Sequence, residues 1–210
     1  MITVAEETEH IQFPELPPIP KGNFKTVMAD PPWAYDDDLP GPGRGSGSHY
    51  DTLHAGSVAG MGPQIRKVTA PSAHLYLWFT NSFIEEAMQV AEAWGFEQKT
   101  IITWLKVTDE PEGLPHERDK SPPVNERIGM GHYLRNCTEH MLFCTKGNKA
   151  TDRNDVPNYI LAERTEHSAK PAKAYRLAEE LSDAPPRLEL FSRDPRPGWD
   201  VWGDEAPEDQ

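Results

Sequence analysis

Five consecutive residues, Leu75-Tyr76-Leu77-Trp78-Phe79, are apolar with no polar residue among them to mark an outer side. A strand of this kind must be covered on both faces, and the usual cover is a helical layer above and below a mostly parallel sheet. The flanking sequence supplies the helices. Ser82 with Glu85 makes a capping-box pattern, and Phe83, Ala87, Ala91 and Trp94 recur at helical spacing until Gly95 predicts the stop. A second apolar face, Ala174, Leu177, Ala178 and Leu181, follows Pro171, a residue tolerated at a helix start, and Pro185-Pro186 breaks it. Short β-rich runs at 24–29, 100–105, 139–145, 187–191 and, more weakly, 158–162 alternate with these segments. The expected class is α/β, with right-handed crossovers and with ligands beyond the C-terminal ends of the strands.

The 210 residues suit one domain. Residues 1–20 read as an extended acidic lead-in ending in Pro17-Pro18-Ile19-Pro20, 21–205 as the folded domain and 206–210 as an acidic tail. The glycine-rich run 41–48 predicts a mobile loop. It lacks the Gly-Lys-Ser/Thr ending of a phosphate-binding loop and suits a lid better. Residues 107–127, rich in charge and proline, predict a long loop. The net charge of -13 is unevenly spread: residues 99–176 carry 13 Lys/Arg against 11 Asp/Glu, whereas 177–210 carry three against ten. A polyanion would meet the middle stretch, through residues such as Lys99, Lys106, Arg118, Lys120, Arg127 and Arg135. Binding is expected to be weak unless a partner adds basic surface. Cys137 and Cys144, with His132 and His140, match no zinc spacing, so no metal is expected and Cys144 reads as core. No N-terminal apolar run is long enough for a signal peptide or a membrane span, which predicts a cytoplasmic protein with reduced thiols.

The run 24–29 is halted by Asp30-Pro31-Pro32-Trp33, which places a carboxylate at the C-terminal end of a strand. That corner meets a definite chemical demand. The lone pair of an amino group on an aromatic base is delocalised into the ring. To methylate the nitrogen, a protein must hold both N–H bonds and turn the atom toward sp³ character. Asp30 can accept one hydrogen bond and the Pro31 carbonyl the other, consecutive prolines restrict the backbone, and Trp33 is expected to offer a face for stacking.

The segment resembles motif IV of amino-methyltransferases in the form typical of the MT-A70 family. The likeness continues through His49-Tyr50-Asp51-Thr52-Leu53, Trp94-Gly95-Phe96, Trp104-Leu105-Lys106, Arg135-Asn136 with Glu139, His167-Ser168-Ala169-Lys170-Pro171, Leu188-Glu189-Leu190-Phe191-Ser192-Arg193 and Pro197-Gly198-Trp199-Asp200-Val201-Trp202-Gly203. The resemblance implies a Rossmann-like methyltransferase fold with a mixed, mostly parallel sheet. It also implies the permuted, β-type motif order, with the catalytic motif ahead of the cofactor motifs. By this likeness Asp30, Pro31, Pro32 and Trp33 carry catalysis, Tyr50 and Glu139 line an adenine pocket, and Lys106 and Arg135 are further substrate contacts. The cofactor, S-adenosylmethionine, would be held by Asp30, by Lys170 at its carboxylate, by Phe191, by Arg193 at its ribose, and by Asp204 and Glu205 at its adenine edge. The expected substrate is adenine in nucleic acid, single-stranded or flipped from a duplex, in a compact bacterial or phage enzyme, with DNA preferred over RNA. A protein partner or homodimer is compatible with the acidic surface. Two other readings stay open. One is a catalytically silent scaffold subunit; the other is methylation of a cytosine amine or a protein glutamine, which would use Ser or Asn where this chain has Asp30.

Overall fold

The computed structural model describes residues 18–34, 53–114, 117, 134, 136–164, 169–182, 185–192 and 195–203. In chain order the elements are β1 (Phe24–Ala29), α1 (Ala55–Gly60), α2 (Gly62–Val68), β2 (Thr69–Phe79), α3 (Ile84–Ala93), β3 (Glu97–Val107), β4 (Thr138–Lys146), β5 (Tyr159–Glu163), α4 (Ala172–Leu181), β6 (Arg187–Leu190) and β7 (Asp200–Trp202). The strands form one seven-stranded sheet in the order β5-β3-β4-β2-β1-β6-β7. Six run in one direction, and β4 alone is reversed, antiparallel to both β2 and β3. This is the mixed, mostly parallel Rossmann-like α/β architecture that the apolar runs and the family likeness imply.

Alternation along each strand sorts side chains to two layers. Val27, Ala29, Leu75, Leu77, Phe79, Leu188 and Leu190 join Val58, Ile65, Ala87, Val90 and Trp94 in the core under α1, α2 and α3. Met28, Tyr76, Trp78, Ile102, Trp104 and Met141 join Ala174, Leu177, Ala178 and Leu181 under α4. Residues 75–79 are apolar throughout because each layer claims alternate members of the run. Cys144 is a core residue, its thiol pushed up by burial to about 12.

Several elements differ from expectation, each for a physical reason. β2 begins at Thr69 and β3 spans Glu97–Val107, both longer than their apolar runs, because backbone pairing continues whatever the side-chain polarity: Thr69 is registered with Phe24 of β1, Glu97 with Thr145 of β4, and Val107 with Glu163 of β5. α1 and α2 contain Gly56, Gly60, Gly62 and Pro63, which read as breakers, yet buried Val58, Ile65 and Val68 hold both helices to the sheet. Ser82 does not cap α3. Asn81–Phe83 form a 3₁₀ turn in which the Phe83 N–H donates to the Thr80 carbonyl, and no side chain caps the helix. Gly95 does end the helical segment, at φ 84°. Leu114, inside the expected long loop, is fully buried in the α4 layer. Ile19, from the expected lead-in, packs against the opposite core. The glycine-rich run 41–48 lies outside the described residues.

β1 pairs in parallel with β2 on one side and β6 on the other. The chain leaves β1 for β2 through α1 and α2 on one face and reaches β6 from α4 on the other. The C-terminal end of β1 is therefore the switch point at which an α/β sheet opens a crevice for ligands.

Candidate active site

Asp30 is the first residue past β1, and its N–H reaches the Leu190 carbonyl at the end of β6. The two prolines that follow cannot continue the ladder, so the chain turns away from the sheet. The turn is held by backbone bonds: Trp33 N–H donates to the Pro31 carbonyl at 2.8 Å, and Leu53 N–H to the Pro32 carbonyl at 2.8 Å. The Pro31 oxygen keeps a second lone pair for another donor. Trp33 corrects one expectation. Its ring is only 6% exposed, stacks on Phe83 at 5.5 Å and donates Nε1–H to the Trp78 carbonyl at 3.0 Å. It anchors the corner in the core instead of presenting an open face to a base, because a ring this apolar at the strand end is drawn under α3.

Four charged side chains from four parts of the chain meet here, Asp30 among them. Lys170, just before α4, places Nζ 2.9 Å from Asp30 Oδ2 and 3.2 Å from Glu139 Oε2, and Lys106, near the end of β3, places Nζ 2.6 Å from Glu139 Oε1. The ammonium of Lys170 lies 5.2 Å from the centre of the Trp78 ring and that of Lys106 5.1 Å from that of Trp104, while the two indoles meet edge to face. The result is a chain Lys106–Glu139–Lys170–Asp30 laid across a tryptophan floor, with two positive and two negative charges. Burial works against the charge on Lys170, but Asp30 and Glu139 outweigh it and hold its pKa above the usual lysine value. Burial likewise pushes the Glu139 carboxyl up, and Lys170 and Lys106 together bring it below the ordinary glutamate value. Both therefore stay ionised at neutral pH.

A second buried group stands on the neighbouring strand β6. Glu189, in the middle of β6 and paired with Met28 of β1, accepts a 2.6 Å hydrogen bond from the Tyr175 hydroxyl of α4. Its Oε2 is buried without a hydrogen-bond partner, 3.7 Å from Arg196 Nε, and the Arg196 guanidinium lies over the Tyr175 ring at 3.4 Å. Desolvation is the main cause that raises the Glu189 carboxyl above its ordinary value, and Asp30 adds to it. Sequence reasoning missed Glu189 as a site residue. The signal was the same one that singled out Glu139, a carboxylate set among apolar strand residues.

The described site thus unites Asp30, Pro31, Glu139, Lys106 and Lys170. Phe191, expected at the cofactor, lies just past β6 with φ 63°, a conformation unusual for an aromatic residue, and packs against Trp202 at 5.4 Å. Beside it the ends of β6 and β7 approach so closely that a Cβ on Gly203 would come within 2.3 Å of the Ser192 carbonyl oxygen. Lys99 is the third residue of β3, ion-paired with Glu97 at the strand's start and away from Lys106 near its end. Tyr50, Arg135, Arg193, Asp204 and Glu205 lie outside the described residues, as do Arg118, Lys120 and Arg127. Among the described residues no group of three or more His, Cys, Asp or Glu is placed to hold a metal, and no helix is long and apolar enough to cross a membrane.

A family model described as MT-A70 matches residues 24–205. An "N(6)-adenosine-methyltransferase MT-A70-like" protein of Arabidopsis thaliana is 30% identical over 176 residues, 82% of this chain and 22% of the relative. The human "N(6)-adenosine-methyltransferase catalytic subunit METTL3" is 28% identical over 191 residues, 88% of this chain and 28% of the relative. The chain therefore spans about a quarter of the length of these adenosine methyltransferases. A "Type II methyltransferase M.MunI" from Mycoplasma sp is 25% identical over 213 residues, covering 92% of this chain and 82% of that protein.

Proposed function

We propose, from the premise that this chain belongs to the MT-A70 family, that it is an S-adenosylmethionine-dependent methyltransferase acting on the exocyclic amine of adenine in nucleic acid. The observation that carries the reading is the corner at the end of β1, where the Asp30 carboxylate and the Pro31 carbonyl stand together at the switch point of the sheet. The compact form of the chain is supported by its match to a type II methyltransferase over most of both sequences, and we favour DNA over RNA as the polymer.

The residues present fit the cofactor. Asp30 keeps 35% of its side chain exposed beside Lys170, and Glu189 offers a buried oxygen without a hydrogen-bond donor, so acceptors for an ammonium or hydroxyl are at hand. An ammonium has three donors; Asp30 and Glu139 engage two of those on Lys170 and leave one for a carboxylate. When bound, S-adenosylmethionine supplies an electrophilic methyl group on its sulfonium.

The chain's own residues supply the rest. Asp30 accepts one N–H of the adenine amine and the free lone pair of Pro31 the other, which localises the nitrogen lone pair and aims it out of the ring plane. Trp33, fixed in the core, keeps the turn from yielding under that load. The nitrogen would gain a carbon–nitrogen bond as the methyl–sulfur bond breaks with its electron pair left on the sulfur, and the proton that the nitrogen then sheds would pass to Asp30 or to water. Phe191, Arg193, Asp204 and Glu205 complete the proposed cofactor contacts, and Tyr50 and Arg135 the substrate contacts. Retention of Asp30 in contact with Lys170 favours an active enzyme over a silent scaffold. Labelled methyl transfer to matched DNA and RNA oligonucleotides, followed by nucleoside mass analysis, tests the reading. Labelled methyladenine is expected; label on cytosine, or on no oligonucleotide, overturns it.

A further inference from the structure

We propose that Lys106 is a positioning residue that keeps Lys170 on Asp30 by occupying the competing carboxylate, Glu139. The inference rests on the reading of Asp30 given above, and the geometry carries it. Glu139 has two cations and uses one oxygen for each, but unequally: Lys106 stands at 2.6 Å and Lys170 at 3.2 Å. Lys170 in turn is nearer Asp30, at 2.9 Å, than Glu139. Glu139 leans on Lys106, and Lys170 is thereby left to lean on Asp30. Without Lys106, Lys170 would be the one cation left on Glu139 among the described residues, and Glu139, set more deeply than Asp30, would draw it away.

Lys106 is also poorly placed for the phosphate contact that its charge suggests. Its side chain is 14% exposed, pinned between Glu139 and the Trp104 ring. Trp104 and Glu139 are direct cross-strand partners in the β3–β4 ladder, so the pair is built into the sheet. A phosphate-binding lysine keeps its head in solvent until the polyanion arrives. Among the described residues, the charged and titratable groups near Asp30 include Lys170 from the segment before α4, Glu189 from β6 and Tyr175 from α4, with Glu139 of β4 behind Lys170. Of the four, only Glu139 touches Lys106.

The test uses the full chain with Lys106→Met, which keeps the aliphatic stem over Trp104 but removes the charge, and Lys106→Arg, which restores a cation. A thermal melt checks that each variant folds. Carbon-13 NMR titration of the side-chain carboxyls needs no turnover. The expected result is that both Asp30 and Glu139 titrate at higher pH in Lys106→Met and return toward the parent in Lys106→Arg. In methyl-transfer assays Lys106→Met is expected to lose about tenfold in kcat, with KM and its salt dependence unchanged. A shift of Glu139 alone overturns the proposal. So does a raised KM with a flatter salt dependence and unaltered carboxyl titrations, the signature of a phosphate contact. If the parent transfers no methyl to any oligonucleotide, the proposed function fails while the titration still decides the role of Lys106.

Discussion

Both ends of α4 are tied to the sheet by buried polar groups, and the two ties differ in kind. At the N-terminal end, Lys170 is ionised and held between Asp30 and Glu139. At the C-terminal end, Ser182 is fully buried and hydrogen-bonded to His74 Nδ1 at 2.5 Å and to the Tyr76 hydroxyl at 2.8 Å. His74 Nε2 faces the Lys149 carbonyl at 3.1 Å, which can only accept, so Nε2 carries the proton and Nδ1 accepts from Ser182. Tyr76 then donates to Ser182. Burial lowers the His74 pKa and raises that of Tyr76, so every member of this network is neutral. A neutral, satisfied network needs no access to solvent and works as a bolt. The ionised chain at the other end keeps Asp30 a third exposed, an arrangement that stability alone does not require. The same helix is fastened by a neutral network at one end and, under the proposed function, set for chemistry at the other.

The contrast can be broken most severely at Asp30. Asp30→Ala is expected to lower methyl transfer by about 10²–10³-fold or more while the melting temperature stays near that of the parent. A variant that keeps its rate would remove the chemical half of the contrast. Next in size, Glu139→Ala leaves Lys106 and Lys170 as two poorly exposed cations with one carboxylate between them. A loss of about 3 kcal/mol in urea denaturation is expected, the lower end of the range for a broken buried pair because both partners keep some exposure. Methyl transfer should fall as well. Ser182→Ala is expected to cost about 1–3 kcal/mol by stranding Tyr76 and His74, with the rate of methyl transfer unchanged. A lost rate in that variant would show the two ends of α4 to be coupled.

The smallest expected effect is a pH dependence. Burial, the largest influence on each, holds both His74 and His140 below the ordinary value of 6.5. In acid the unfolded chain therefore binds more protons than the folded one. The stability these residues contribute is complete above pH 6.5 and is lost as the pH falls through their folded values. Urea midpoints that decline from pH 7 to pH 5 in the parent, and less steeply in His74→Gln, would agree; an unchanged slope would place the effect elsewhere.

How legible the molecule was depended on the range of the interaction. The 75–79 strand, the helix ending at Gly95 and the helix after Pro171 are written in local periodicity, which burial in either layer then satisfies. α1 and α2 were not readable, because their glycines and proline oppose helix locally and only packing of Val58 and Ile65 overrides them. Asp30 stood out because a carboxylate before two prolines has a geometric consequence within four residues. Glu189 did not, since its meaning comes from Tyr175 and Arg196, which reach it from other elements. Trp33 was placed at the right corner and given the wrong surroundings, because no local pattern tells which face of a ring the fold will cover.

The sequence by itself determined the two-layered α/β class and the strand-end position of the Asp30 carboxylate, since each follows from side-chain period or backbone restriction inside one segment. The tertiary structure alone decided that β4 would run against its neighbours and bring Glu139 between two lysines, that Lys106 would face a carboxylate, and that Trp33 would be buried. Those outcomes depend on strand order and on charges meeting across the sheet, where the partner that makes a buried ion tolerable lies dozens of residues away.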